Sequence, residues 1–360
     1  MNASLNERLR TVKWGEYRLE KLFDSYNGNF DIQKEHINGK GVQVITAGLA
    51  NNGFLGKTDV DAKVFPAGTL TVDMFGNVFY RNEEYKMVTH ARVFTLRPKF
   101  DITNNQGIFL SSSLSFIRFK FGFDSMCTWD KIKSLYINLP ARDGQIDFEF
   151  MESFIAELEA ERIAELTAYL TVSGLDNYEL SSEEEKAIED YKSFDWDSYN
   201  LEDLFGKSTR GKRLKSEDRI VGTLPFVTAG EAEEGVSAFI GNEVEVFEKN
   251  TTTIDMFGSA KYRNFRYGAD DHVAVVHTET LPVKAAIFVS SAIHKAAHTG
   301  KFDYGHNFYA KDADALDIML PTKDGKPDYQ AMALLVSAIQ KQVIKDVVCY
   351  ADMKRLRQQK

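Results

Sequence analysis

Apolar residues fall into two alternating textures along this chain. From Trp14 to Pro140, and again from Trp196 to Pro321, β-branched and aromatic residues come in short runs broken by Gly and Asn. Examples are Gly68-Thr69-Leu70-Thr71-Val72, Ala91-Arg92-Val93-Phe94-Thr95-Leu96 and Ala274-Val275-Val276. Runs of that length bounded by turn residues predict short strands. After each region a Leu-Pro-x-x-Asp-Gly turn leads into a stretch with apolar residues every three or four positions. The first predicts a helix over about Asp147–Leu170, with Met151, Phe154, Ile155, Leu158, Ile163, Leu166, Tyr169 and Leu170 on one face. The second predicts a helix over about Asp328–Leu356, with Met332, Leu335, Val336, Ile339, Val343, Ile344, Val347 and Val348. Such spacing over so many turns suits a coiled-coil seam.

The two textures are one unit written twice, at an offset of 182 residues. Trp14, Tyr17, Leu19, Glu20, Leu22 and Phe23 recur as Trp196, Tyr199, Leu201, Glu202, Leu204 and Phe205. Thr46-Ala47-Gly48 recurs as Thr228-Ala229-Gly230, Asp73-Met74-Phe75-Gly76 as Asp255-Met256-Phe257-Gly258, Tyr80-Arg81-Asn82 as Tyr262-Arg263-Asn264, and His90 as His272. Further on the offset drifts slightly, and Leu139-Pro140 with Asp143-Gly144 matches Leu320-Pro321 with Asp324-Gly325. Chance does not align so many unlike residue types. The expected fold class is α+β: two tandem, pseudo-symmetric mixed α/β domains over residues 1–138 and 196–320. A spacer helix with its linker fills 139–195, and a second spacer helix fills 321–360. The helices are oppositely charged, with seven acidic residues and one basic between Asp147 and Leu170 against three acidic and six basic from Asp328 onward. That opposition favours pairing with each other, as antiparallel coiled-coil partners, over self-pairing, the alternative being a helical hairpin packed on its own domain.

The formal net charge of −9 argues against a nucleic-acid binder until it is resolved along the chain. Residues 141–195 hold 4 basic and 16 acidic residues, a deficit larger than that of the whole molecule. The acidity is therefore local and leaves the remaining surface free to meet a polyanion. No apolar run approaches the ~18 residues of a membrane span, and Met1–Arg10 lacks the apolar stretch of a signal peptide. A soluble cytoplasmic protein with no membrane partner is expected. Cys127 and Cys349 lie far apart without a CxxC pair, which excludes a disulfide scaffold or a cysteine zinc site.

Catalytic motifs fail on inspection. Gly56-Lys57-Thr58 and Gly206-Lys207-Ser208 resemble the end of a phosphate-binding loop, but Asn51 and Leu201 stand where its first glycine belongs. His294 and His298 would share a helix face, yet lack a following glutamate and any counterpart in the first copy, so no metal site is expected. His90 with His272 and Asp73 with Asp255 do repeat. Without a nucleophile motif or cofactor loop beside them, they read as structural residues flanking strands. No two prolines are adjacent, so the Asn/Asp-Pro-Pro-aromatic motif of adenine methyltransferases is missing too. The chain is expected to be no enzyme.

What remains is polar loops. In the first copy Asn29, Lys34, Asn51, Asn52, Lys57, Asn77, Arg81 and Asn82 are candidate DNA contacts. In the second they are Arg210, Lys212, Arg213, Lys215, Ser259, Lys261, Arg263, Asn264 and Arg266. Lys and Arg neutralise phosphates, while Arg to guanine and Asn to adenine form paired hydrogen bonds with base edges. From Lys207 to Lys215 there are five cations and no acid.

The stretches Thr71-Val72-Asp73-Met74-Phe75-Gly76-Asn77-Val78-Phe79-Tyr80-Arg81 and Met87–Phe94, with the Leu-Pro-x-x-Asp-Gly turn, resemble the specificity subunit of type I restriction-modification systems and its type IIB relatives. The resemblance covers nearly the whole chain. It implies two target-recognition domains, each reading one half of a split, asymmetric double-stranded DNA site, with the helices as a ruler for the gap. It also implies two methyltransferase subunits as partners, which would carry S-adenosylmethionine and Mg2+, and no cofactor in this chain. A separate ATP-driven restriction subunit belongs to the type I arrangement, and a nuclease fused to the methylating subunit to type IIB. A rival from another class is an interaction scaffold or regulator that binds the methyltransferase subunit without reading DNA.

Overall fold

The computed structural model describes residues 3–358, and its contacts divide them into two units. Unit 1 runs to Ala168 and includes the closing segment from Lys354, while unit 2 is Tyr169–Met353.

Unit 1 opens with helix α1 (Ala3–Thr11), whose Leu5 is fully buried. Three sheets follow. Phe23–Asn27, Phe94–Pro98, Thr69–Val72 and Val78–Arg81 form an antiparallel four-stranded sheet in that order. Phe54–Thr58, Val42–Ile45 and Tyr85–Met87 form a second sheet, with the last two strands parallel. In the third, Trp14–Arg18 lies against Tyr136–Arg142, pairing Trp14 with Pro140. Alternation along that strand buries Ile137 and Leu139 and exposes Asn138 between them. Helix α2 (Asn104–Ser113) covers the main sheet and starts at Thr103, whose hydroxyl accepts from the Gln106 amide. Leu70, Val72, Leu96, Phe109 and Leu110 make the core together with Met151 and Phe154 of helix α3 (Phe148–Val172). Full burial of each such side chain contributes about 1.5–3 kcal/mol.

The Asp-Gly turn has a simple physical role. Asp143 and Gly144 have φ of 51° and 78°, and Asp324 and Gly325 have 52° and 71°. Two successive left-handed residues are what a two-residue hairpin demands, so each turn reverses the chain between Arg142 and Gln145, and between Lys323 and Lys326. Asp147 and Asp328 then cap the long helices, accepting the amides of Phe150 and Ala331 at 2.9 Å each.

Unit 2 repeats the plan. Helix α4 (Ser182–Asp190) precedes Trp196–Asn200, which pairs with Asp317–Lys323. The main sheet is Thr209–Arg210, Val273–Val276, Thr251–Asp255 and Ala260–Arg263, and the second is built on Val221–Val227. Helix α5 (Val283–Ala297) covers the core with Ala285, Val289 and Ile293, and helix α6 (Tyr329–Gln358) adds Met332.

Three differences from the sequence reading emerge. The 15-residue helix α5 occupies a region read as strands and turns. The acidic stretch Ser181–Asp190, read as part of the 139–195 spacer and linker, takes in unit 2 the place that α1 has in unit 1. At the repeat offset Leu5 becomes Ala187, and both are buried. Each short helix grips the long helix of its own unit, Arg8 on Ser153 and Glu157 of α3, and Glu184 on Ser337 and Lys341 of α6. Finally, the apolar face of α6 is only half covered. Met332, Leu335, Val336 and Val348 are buried, whereas Ile339, Val343 and Val347 are 48%, 75% and 38% exposed. In unit 1 Lys354, in the closing turn of α6, pairs with Glu159 of α3.

Candidate nucleic-acid interface

A buried aspartate organises the loop roots of each unit. Asp73 accepts the amides of Phe75 and Asn77 at Oδ1, both at 2.9 Å, and the amides of Gly48 and the Asn77 side chain at Oδ2, both at 2.8 Å. Asp255 accepts Phe257, Ser259 and Gly230 amides at 2.9, 3.0 and 3.2 Å. The repeated Asp-x-x-Gly and Thr-Ala-Gly motifs are therefore two ends of one tether. Gly76 and Gly258, at φ of 80° and 82°, complete the turn. A Cβ there would come within 2.9 Å of the Ile117 backbone or 2.5 Å of the Ala297 carbonyl. The recurring acid is thus explained without chemistry, as is His90, whose Nδ1 lies 2.7 Å from Asp31.

Beneath the next loop stands a buried arginine. Arg81 donates from Nε to Thr71 Oγ1 at 2.9 Å and from Nη2 to the Asn52 carbonyl at 2.7 Å. Arg263 donates from Nε to Thr253 Oγ1 at 2.9 Å, and its Nη1 has no protein partner. Burial disfavours the charged form and pushes Arg81 down to about 10, with Arg263 shifted in the same direction. At about 10, Arg81 stays charged at neutral pH. Above each arginine the chain makes two successive left-handed residues, Asn51 and Asn52 at φ of 48° and 53°, and Glu233 and Glu234 at 47° and 54°. Asn tolerates that backbone more readily than Glu does. The glutamates were not among the candidates, although the 182-residue offset pairs them with Asn51 and Asn52.

The candidates divide by exposure. Asn29, Lys34, Asn51, Asn52, Lys57 and Asn82 are exposed in unit 1, and Arg210, Lys212, Arg213, Lys215, Asn264 and Arg266 in unit 2. Asn77, Arg81, Ser259 and Arg263, at 6%, 8%, 2% and 1% exposure, are buried rather than open to solvent. Asn77 and Ser259 belong to the aspartate tether, and the arginines hold loops from below. Lys261 is largely covered, donating to Ser259 and Glu231 at 2.9 and 3.2 Å. Some exposed side chains are already engaged: Asn29 accepts the Lys63 amide at 2.6 Å, Arg266 faces Glu248 at 3.1 Å and Lys215 faces Glu217 at 3.6 Å.

Arg210, Lys212 and Arg213 have no carboxylate partner among the described residues. Their loop is rooted where Thr209–Arg210 pairs with Val275 and Ala274. It lies so close to the neighbouring strand that a Cβ on Gly211 would sit 1.6 Å from the Ala269 carbonyl. Only glycine permits that approach.

Among the described residues, one group of metal-ligating side chains has its atoms within 4.8 Å of one another, Asp270, Asp271 and His272. Unit 1 has Val88 and Thr89 in place of the two acids. His294, considered above with His298, accepts the Ala260 amide at Nδ1. Lys57 lies on a strand, and Thr58 beside it is buried and donates to the His36 carbonyl.

The architecture is a duplicated sheet-and-helix unit, with loops that differ between the copies on a constant frame. Residues 11–168 and 194–347 each match the family described as type I restriction modification DNA specificity domain, and the chain belongs to that family. It is a specificity subunit of a restriction-modification system. The chain is similar to the specificity subunit S.BcgI of a type II restriction enzyme from Heyndrickxia coagulans, at 22% identity over 342 residues, covering 92% of this chain and 96% of the relative. Its fold is similar to that of a type I system S subunit from M. genitalium, with a TM-score of 0.64 at 17% identity over 96% and 94% of the two chains. No helix of the described residues is long and apolar enough to cross a membrane.

Proposed function

We propose that this chain reads a split, asymmetric double-stranded DNA site, each unit taking one half, with α3 and α6 paired antiparallel as the ruler between them. The observation that carries the reading is the contrast between frame and loops. Asp73 and Asp255, with Arg81 and Arg263, build the same loop roots in both units, while the exposed residues above them differ. Asn51-Asn52 faces solvent in one copy and Glu233-Glu234 in the other, and the five-cation loop 207–215 belongs to unit 2 alone. Two different words suit two different loop sets. At ~1.5 Å per residue, the 25 residues of α3 span ~37 Å, close to one turn of B-DNA.

Chemistry falls to the partners in this reading. Two methylating subunits carry S-adenosylmethionine and Mg2+, and cleavage belongs either to a separate ATP-dependent restriction subunit or to a nuclease fused to the methylating one. The open stripe of Ile339, Val343 and Val347 on α6 is the kind of apolar surface a protein partner covers.

Footprinting of the complex assembled with its methylating subunit tests the proposal. Two protected segments about one helical turn apart are expected, with methylated bases in both. One continuous footprint overturns the split-site reading. Assembly without any DNA protection would favour the scaffold or regulator instead.

A further inference from the structure

A second duplicated feature lies beside the aspartate turns and is not explained by packing. In unit 1 the ring of Phe123 sits edge-on to Phe75, with centroids 5.0 Å apart at 79°. In unit 2 Tyr304 sits edge-on to Phe257 at 5.2 Å and 84°. The outer rings are 76% and 85% exposed, among the most exposed aromatic side chains of the protein. Their loops are pinned to the same turns, since the Cys127 amide donates to the Met74 carbonyl at 2.7 Å and the Phe308 amide to the Met256 carbonyl at 2.9 Å. Lys120-Phe121 precedes the first ring by the same spacing as Lys301-Phe302 precedes the second, and both lysines are exposed.

We propose that Phe123 and Tyr304 are stacking wedges, each entering the DNA base stack at the half-site read by its own unit. The inference rests on the DNA-reading proposal above. Leaving a large ring in water twice, at matching places, forgoes burial that the fold could use. A feature common to both units also contacts something common to both half-sites, which the diverged loops do not. A protein partner fits a contiguous apolar patch, but Tyr304 stands between Asp303 and Gly305 with exposed His306 beyond. A single ring on a rigid backing, with an exposed lysine three residues before it in the chain, instead suits a base step and its phosphate. The shared turn, tied down by Asp73 or Asp255, supplies the rigidity that unstacking requires.

The test uses the complex assembled with its methylating subunit, and duplexes carrying 2-aminopurine at successive positions of each half-site. Phe123→Ala should weaken binding about tenfold or more and abolish the 2-aminopurine signal change in one half-site only, and Tyr304→Ala should do so in the other. Phe123→Trp and Tyr304→Phe should retain both. Both positions are exposed, so the variants should fold, and melting temperatures check this. Wild-type DNA affinity and fluorescence in both alanine variants overturns the proposal. So does loss of the methylating subunit with DNA binding intact. If the wild-type complex binds no duplex, the DNA-reading proposal itself falls.

Discussion

The guanidinium of Arg263 lies 2.9 Å from the hydroxyl of Thr253 and is 1% exposed, in the interior of unit 2. Its removal would leave a buried hydroxyl without its donor and a cavity under the Glu233-Glu234 turn. Arg263→Ala should therefore destabilise unit 2 by about 2–4 kcal/mol, read as a fall in melting temperature. The bases required at each half-site should stay the same in the protein that folds. A change of base preference at wild-type stability would show that this arginine reaches DNA after all.

Arg210 is the contrasting case, exposed and without a carboxylate partner among the described residues. Arg210→Ala should leave melting unchanged and weaken one half-site by roughly 1–3 kcal/mol if it reads a base. Binding measured across a set of single-base substitutions distinguishes this from a phosphate contact, which would weaken every sequence alike and flatten the salt dependence.

Asp73 satisfies three backbone amides and one side-chain amide. Asp73→Ala strands those donors in a buried setting and should cost about 3 kcal/mol or more. Limited proteolysis should then cut first within the loops around Gly48 and Asn77. Protection there equal to wild type would remove the tether from the explanation of the repeated motifs.

Glu184 gives unit 2 a dependence on pH. Burial works against its charge, but hydrogen bonds from Lys341, Ser337 and the Ser181 amide outweigh that effect and hold its pKa at about 2, below the ordinary 4.5. Because the folded value is depressed, the associated stability is present above about pH 4.5 and is lost as pH falls towards 2. Glu184→Gln should lower stability at neutral pH and flatten the decline across that window, measured by denaturant unfolding at a series of pH values.

The open stripe on α6 predicts a separable defect. Val343 is 75% exposed, so Val343→Glu should leave melting close to wild type. Co-purification of the methylating subunit should drop by at least tenfold, the scale expected for a charge set in an apolar contact. Undiminished co-purification would move the docking surface elsewhere.

The duplication and the long helices were legible because they depend on local signals. The Asp-Gly turn needs left-handed backbone, the aspartates after it cap helices, and apolar residues every three or four positions mark a face. The burial of Arg81 and Arg263 was not legible, because an arginine beside an asparagine at a strand end resembles a loop cation. Only the assembled sheet shows that a threonine on the adjacent strand receives it. One signal was present: both arginines fall in the near-identical part of the repeat, where residues reading different words ought to differ. The role of 181–190 was hidden for another reason. Its buried Ala187 replaces Leu5, and its acids replace different polar residues, so the match with the first helix survives in placement rather than in letters.

Each aspartate tether also separates two kinds of evolutionary change. The carboxylate shapes its loop from within, through main-chain amides that every residue except proline supplies. Side chains on the outer surface therefore carry little of the burden of folding, and under the DNA-reading proposal their replacement would alter what the molecule selects while the scaffold beneath stays constant.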